Sequence, residues 1–359
     1  MDIVPFLPLL LSIFGNGSFG VLHKLCRCSN SVFTLYYSVG LCLVSVATLP
    51  CLRAAGVSAP FSPWGLLSGL AQYVAIQFFF LTIPLAGLAI SFALFGAAII
   101  IISLAADTML LGAHIGNATF LLLAMLLILG GLGGIAKSKL MSAAAIATDA
   151  AAVVTPPPPL HTHLLGDDDP EHDAALLAVN HAEPAAAPPT PPTPKSSSVR
   201  RGALVAFYVF MVSACFVANN FIAEEFAPSD VQGLPFVWSF GVGIAASALV
   251  LTPPLVWRDA RRRGAAAVSR ANLGAHRDAL AGVASGIIWG VANIGVCAAI
   301  GLGVSLAVAN ALHQVSLVVA GLWGVCVFGE IQRPAPVALF FASSAMLLGG
   351  VILEGTAVG

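Results

Sequence analysis

Ten stretches of about twenty mostly apolar residues divide this chain, at roughly residues 3–22, 32–52, 64–84, 86–106, 118–136, 202–222, 234–256, 279–300, 302–327 and 336–354. A run of that length crosses a hydrocarbon layer about 30 Å thick when it is helical. A helix is also the form that satisfies every backbone group within one segment where water is absent. The chain is 58% hydrophobic and only 9% charged, whereas a soluble domain carries about a quarter charged residues. The expected fold is an all-α polytopic membrane protein with ten transmembrane helices. The first run does not read as a secretory leader. Met1-Asp2 supplies no basic n-region, and Lys24 and Arg27 follow the apolar run instead of preceding it.

The basic residues fix an orientation. With the connections numbered alternately, Lys24, Arg27, Lys137, Lys139, Lys195, Arg200, Arg201, Arg258, Arg261, Arg262, Arg263, Arg270, Arg277 and Arg333 fall on one side. Arg53 is alone on the other, with Glu224, Glu225 and Asp230. The positive-inside rule then places the long central loop in the cytosol and both termini outside or in a lumen. The sequon Asn117-Ala118-Thr119 falls on the non-cytosolic side, as glycosylation requires. Seven scattered cysteines, mostly in or beside apolar runs, read as small packing residues and not as a disulfide framework.

Three regions follow: a first five-helix half over 1–141, a linker over 142–199 and a second half over 200–359. The linker holds Pro156 to Pro159, Asp167-Asp168-Asp169 and Pro-Thr repeats. Lacking aromatics, it cannot bury enough surface to offset chain entropy, so disorder is expected there. Its His161, His163, His172 and His181 show no fixed metal-ligand spacing.

The halves share short motifs in the same order. Gly65-Leu66-Leu67-Ser68-Gly69 matches Gly282-Val283-Ala284-Ser285-Gly286, and Gly87-Leu88-Ala89 matches Gly303-Val304-Ser305. Ala124-Met125-Leu126-Leu127 returns as Ala345-Met346-Leu347-Leu348, each shortly before a Gly-Gly pair. Five is odd, so a second copy enters the membrane from the opposite side. An inverted pair of this kind can open a midplane site alternately to each side.

Polar groups inside hydrocarbon are the best site candidates. These are Asn16 in span 1, Gln72 and Gln77 in span 3, Trp289 and Asn293 in span 8, and His313 and Gln314 in span 9. The bland reading of each amide is an interhelical hydrogen bond worth about 0.6 kcal/mol. Convergence of spans 1, 3, 8 and 9 on one cavity favours binding instead. Amides with aromatic faces suit a small neutral polar solute, with Trp289 as a stacking surface. His313 is the only ionisable group expected near the membrane centre and is the candidate for proton coupling. Asp107 and Glu330 fall at helix ends and read as gate or interface residues. The ladder Gly282, Gly286, Gly290 reads as a close helix contact.

Enzyme signatures are missing: no G-x-x-x-x-G-K-[ST] loop, no H-E-x-x-H, no G-x-S-x-G elbow and no mid-membrane acid pair. No enzyme activity, cofactor, metal or nucleic-acid partner is expected. The expected partners are the bilayer, a small-molecule substrate and protons. The Arg258 to Arg277 cluster reads as topogenic, with lipid headgroups as a further contact.

The stretch Ser285-Gly286-Ile287-Ile288-Trp289-Gly290-Val291-Ala292-Asn293, with Leu322-Trp323-Gly324-Val325-Cys326-Val327-Phe328-Gly329-Glu330, resembles the drug/metabolite transporter superfamily. Within it the chain is similar to the ten-helix branch of ureide permeases, glucose/ribose uptake proteins and rhamnose–proton symporters. The likeness is good over 279–354, fair over 64–136 and weak in spans 1, 2, 6 and 7. It implies two inverted five-helix repeats, a cavity at their interface and transport of a sugar, ureide or nucleobase, proton-coupled in some members. It also implies the plasma membrane. The central loop lacks the nucleotide-binding-like motif of ureide permeases. A nucleotide-sugar or phosphorylated-solute exchanger is a close alternative, opposed by the lack of Lys or Arg within the spans. A non-transporting receptor or scaffold is the alternative of a different class.

Overall fold

A computed structural model describes residues 7–109, 117–154, 195–263, 276–302 and 315–358. All the regular structure among them is helical: α1 (Leu7–Leu25), α2 (Asn30–Ala54), α3 (Trp64–Ala86), α4 (Leu88–Met109), α5 (Ala118–Val154), α6 (Lys195–Phe221), α7 (Leu234–Arg263), α8 (His276–Gly301), α9 (Ser316–Leu322) and α10 (Pro334–Val358). π turns Ile222–Phe226 and Trp323–Val327 prolong α6 and α9. Among the described residues, seven helices are long and apolar enough to cross a membrane: α2, α3, α5, α6, α7, α8 and α10. Their outward faces are apolar too, with Leu122 63% and Leu249 70% exposed. Such surfaces suit lipid and not water. The protein is a multi-pass helical membrane protein.

One boundary differs clearly from the sequence expectation. Helix α5 runs on to Val154, because Ser142-Ala143-Ala144-Ala145-Ile146-Ala147 and the alanines after it are strong helix formers even without an apolar span. Residues 303–314 of the expected ninth span, like residues 155–194 of the expected linker, lie outside the described residues.

The helices meet at glycines. On α8, Gly282 faces Phe33 and Tyr36, Gly286 the Tyr37 carbonyl, and Gly290 Leu41 and Val44, so the expected ladder lies along α2. On α3, Gly65 and Gly69 lie against Ser239 to Ile244 of α7. Each seam has a glycine on the other side as well: Gly40 of α2 meets Val283, and Gly243 of α7 meets Gly65 and Leu66. The serines of the two matched motifs also act alike. Ser285 Oγ donates to the Phe19 carbonyl of α1 over 2.7 Å, and Ser68 Oγ donates to Asn219 Oδ1 of α6. The motif copy in each half thus packs on helices of the other half. Besides these pairs, α5 packs on α10, α1 on α9 and α4 on α6. Gly131 of α5 faces Ser343 and Leu347, while Gly350 of α10 faces Ala124 and Ile128.

One end of the bundle is tied by charge. The Glu330 carboxylate, just past the second π turn, pairs with Lys24 at the end of α1. Its Oε1 also accepts from the Leu88 amide at 2.7 Å and its Oε2 from the Ala89 amide at 3.1 Å, capping the start of α4. Lys24 Nζ lies 4.1 Å from the Phe328 ring centroid. Arg201 and Lys139 reach the same corner from α6 and α5. At the opposite end, Trp238 Nε1 donates to the Ala59 carbonyl at 3.1 Å, and the Ser62 amide to Ser239 Oγ at 3.1 Å. Asn117 Oδ1 accepts from the amides of Thr119 and Phe120 at the exposed start of α5. Burial alone would push the Glu330 carboxyl up. The Lys24 hydrogen bond and the two backbone amides outweigh it and hold the carboxyl below the ordinary range.

Two outcomes follow from this packing. Gly286→Val forces α8 off α2 and costs about 1–3 kcal/mol by overpacking. Gly133→Val, where a side chain meets nothing within 4 Å, leaves the melting midpoint in detergent unchanged; equal midpoints for both variants would contradict the seam. The Glu330 clasp, with its folded pKa below the unfolded one, contributes in full above the ordinary carboxylate range and is lost as pH falls through the folded pKa. Glu330→Gln therefore melts lower than the parent at neutral pH, and the gap closes on acidification.

Candidate functional site

Three of the polar groups inside the bundle contain residues expected from the sequence, each on its own helix seam. The first is Asn16, set between Gly15 and Gly17. Gly15 lets α8 approach at Ile288 and Ala292, and Gly17 lets α9 approach at Ser316 and Val319. Asn16 Nδ2 donates to Ser316 Oγ at 2.8 Å. Two residues on, Ser18 Oγ accepts from Trp323 Nε1 at 2.9 Å, at the opening of the second π turn.

The second group gathers where α2, α3, α7 and α8 meet. Gln72 is fully buried, and neither its amide nitrogen nor its oxygen has a hydrogen-bond partner. The Tyr37 hydroxyl, also fully buried, faces that amide but stops short of hydrogen-bond geometry. Trp289 closes the group, its ring 6.4 Å from Tyr37 and 6.2 Å from Phe240. An unsatisfied buried polar atom costs about 1–3 kcal/mol. Three such atoms lie side by side here, two on Gln72 and one on Tyr37, and each is open to a further hydrogen bond.

The third group is a closed chain between α3 and α7. Gln77 Nε2 donates to the Tyr73 hydroxyl at 2.9 Å, which pairs with Thr252 Oγ1 at 2.8 Å. Positions 73 and 77 share a helix face, four residues apart.

Of the residues expected from the sequence, Gln72 and Trp289 come together, through Tyr37. Asn16 and Gln77 lie on other seams. Asn293 is half-buried one turn beyond Trp289. His313 and Gln314 lie outside the described residues. Two polar groups escaped the sequence reading. Tyr37 follows Tyr36 in span 2, and nothing in the sequence says which of the two faces the core. His23, next to the flanking Lys24, is the second. It is buried, stacked 4.6 Å from Phe80, with Nε2 2.9 Å from Asn30 Oδ1.

Among the described residues, no group of three or more His, Cys, Asp and Glu is placed to hold a metal ion. A cavity of about 530 Å³ between α1 and α8, bounded by Leu7, Leu11, Val291, Ile294 and Ala298, is apolar throughout and offers nothing to a polar ligand.

Gln72 and Asn16 separate a waiting amide from a structural one. Gln72→Leu removes two orphaned atoms, so the unliganded protein keeps its stability or gains about 1 kcal/mol. Asn16→Leu breaks a formed bond and loses about 0.6 kcal/mol. Thermal unfolding of both variants in one detergent checks this; a loss in Gln72→Leu larger than in Asn16→Leu refutes the assignment. No protein-family model matches the chain, and no curated protein matches it either.

Proposed function

We propose that this protein is a secondary transporter of a small neutral polar metabolite, a sugar, ureide or nucleobase, working by alternating access. Its ten helices act as two five-helix halves of opposite orientation. The observation that carries this reading is the reciprocity of the helix contacts. α3 packs on α6 and α7 as α8 packs on α1 and α2; α1 packs on α9 as α6 packs on α4; α2–α7 and α5–α10 are their own counterparts. Adding five to each helix number of the first half and subtracting five from each of the second maps this set of contacts onto itself. Two halves in equivalent surroundings can exchange conformations at little cost, which is what alternating access needs.

The Gln72–Tyr37–Trp289 group supports the substrate class. It offers one amide, one hydroxyl and an indole face, with no charged side chain among them, so a neutral polar solute suits it better than an ion. The resemblance over 279–354 to the drug/metabolite transporters points the same way, and the reading carries no enzymatic step. In this reading the end bearing Lys24, Lys139 and Arg201 faces the cytosol and both termini face away from it. The plasma membrane is the expected location. His313 is the first residue to test for proton coupling.

Uptake of labelled sugars, ureides and nucleobases into proteoliposomes, with and without an imposed pH gradient, decides the matter. One class is expected to accumulate, and Gln72→Leu is expected to lower its uptake at least about tenfold, the scale of one well-placed hydrogen bond to a buried group. A gradient effect abolished by His313→Gln makes the transporter a proton symporter. No uptake of any class refutes the proposal in favour of a charged-solute exchanger or a scaffold.

A further inference from the structure

We infer that the charged end of the bundle holds a binding site for a phosphate-type anion, formed by Lys139 and Arg201 over the corner between α3 and α4. Gly87 makes the corner with φ of 89°, a conformation open to glycine and strained for other residues. Arg201 reaches it from α6 and donates Nη2 to the Leu85 carbonyl at 2.7 Å. Lys139 reaches it from α5, and a side chain at Gly87 would come within 2.6 Å of its Nζ and 2.9 Å of Glu330 Oε2. Two cations from different helices thus converge on three consecutive residues, Leu85 to Gly87, and Lys24 brings a third to the same place.

Among the described residues only one carboxylate meets them. Glu330 is already engaged by Lys24 and by the amides of Leu88 and Ala89. Among the described residues Lys139 is half-buried and makes neither an ion pair nor a hydrogen bond; Glu330 attracts it from a distance while Lys24 and Arg201 repel it. Arg201 spends one nitrogen on a backbone carbonyl and makes no ion pair. Counted over the described residues, the corner therefore carries an excess of two positive charges. Like charges drawn partly out of water repel each other and lose hydration, and a bound anion relieves both costs.

The donor set selects an oxyanion. Lys139 has three ammonium protons free, and Arg201 keeps the rest of its planar fork. A phosphate offers several oxygens to both at once and a charge near the excess it would neutralise. The site lies where the apolar runs of α3 and α4 stop, the depth of lipid headgroups, and Arg201 is exposed. The phosphate can accordingly come from a lipid headgroup or from solution. The inference does not depend on the solute the protein carries.

The test uses the full chain. Thermal unfolding in detergent is followed as inorganic phosphate is titrated against chloride of equal ionic strength. In parallel the protein is reconstituted in phosphatidylcholine vesicles with and without phosphatidic acid. A saturable rise in midpoint with one of the two anions is expected. A response to inorganic phosphate identifies a free-phosphate site, and a response to phosphatidic acid alone identifies a lipid site. Lys139→Met and Arg201→Gln should each raise the half-saturating concentration about tenfold or more. Lys139→Arg should keep it, as should Arg53→Gln at the opposite end. Arg201 is exposed, so its variant carries the test if Lys139→Met does not fold. No saturable response to either anion, or an undiminished response in Arg201→Gln, overturns the inference.

Discussion

Backbone-to-backbone approach at glycine is the constraint on which this bundle depends. In lipid the hydrophobic effect does not drive helices together, because acyl chains are as apolar as leucine. Dispersion between closely fitted surfaces and a few buried hydrogen bonds must do it. The seams α2–α8 and α3–α7 bring carbonyls such as those of Tyr37 and Gly65 directly over the Cα of a glycine on the neighbouring helix. The interior serines and amides reach their partners only because the axes are this close. Ser285 could not donate to Phe19, nor Asn16 to Ser316, across a seam held open by side chains.

The sequence was most legible where the signal was a run of one character. Expected and observed ends of α2, α3, α8 and α10 agree within a few residues, because apolar length marks them, helped by charges beside α2, α8 and α10 and by Pro63 and Gly87 beside α3. The glycine ladder of α8 was legible for a related reason: residues four apart share a face, whatever lies opposite. Facing itself was not legible. Gln72 and Gln77 look like one pair in the sequence, yet five residues turn a helix by about 140° beyond a full circle, so one meets α2 and the other α7. Lys139 read as a loop residue beyond a span that ends near 136. Alanine-rich sequence carries α5 onward and holds this lysine on a helix beside α4 and α6.

The interior divides its polar groups between those already satisfied and those left open. Asn16, Tyr73, Gln77 and Asn219 have partners and lock particular helices to one another. Gln72 and the Tyr37 hydroxyl have none, and they lie where helices of both halves meet. Charge follows the opposite logic: it is kept at one end, where Glu330 ties three helix ends and the surplus cations face water and headgroups.

The π turn Trp323–Val327 gives that arrangement its aim. A π turn is an α-helical turn with one residue inserted, and each inserted residue rotates all that follows by about 100°. With a regular helix through this stretch, the chain would leave α9 on a different bearing and deliver the Glu330 carboxylate to one side of the α4 amides. The same widened turn begins at Trp323, whose indole is pinned to Ser18. The insertion is therefore anchored at its start by α1 and read out at its end by α4. One extra residue sets the angular register of the ninth helix relative to two others, and a deletion there would be felt first as a misdirected charge.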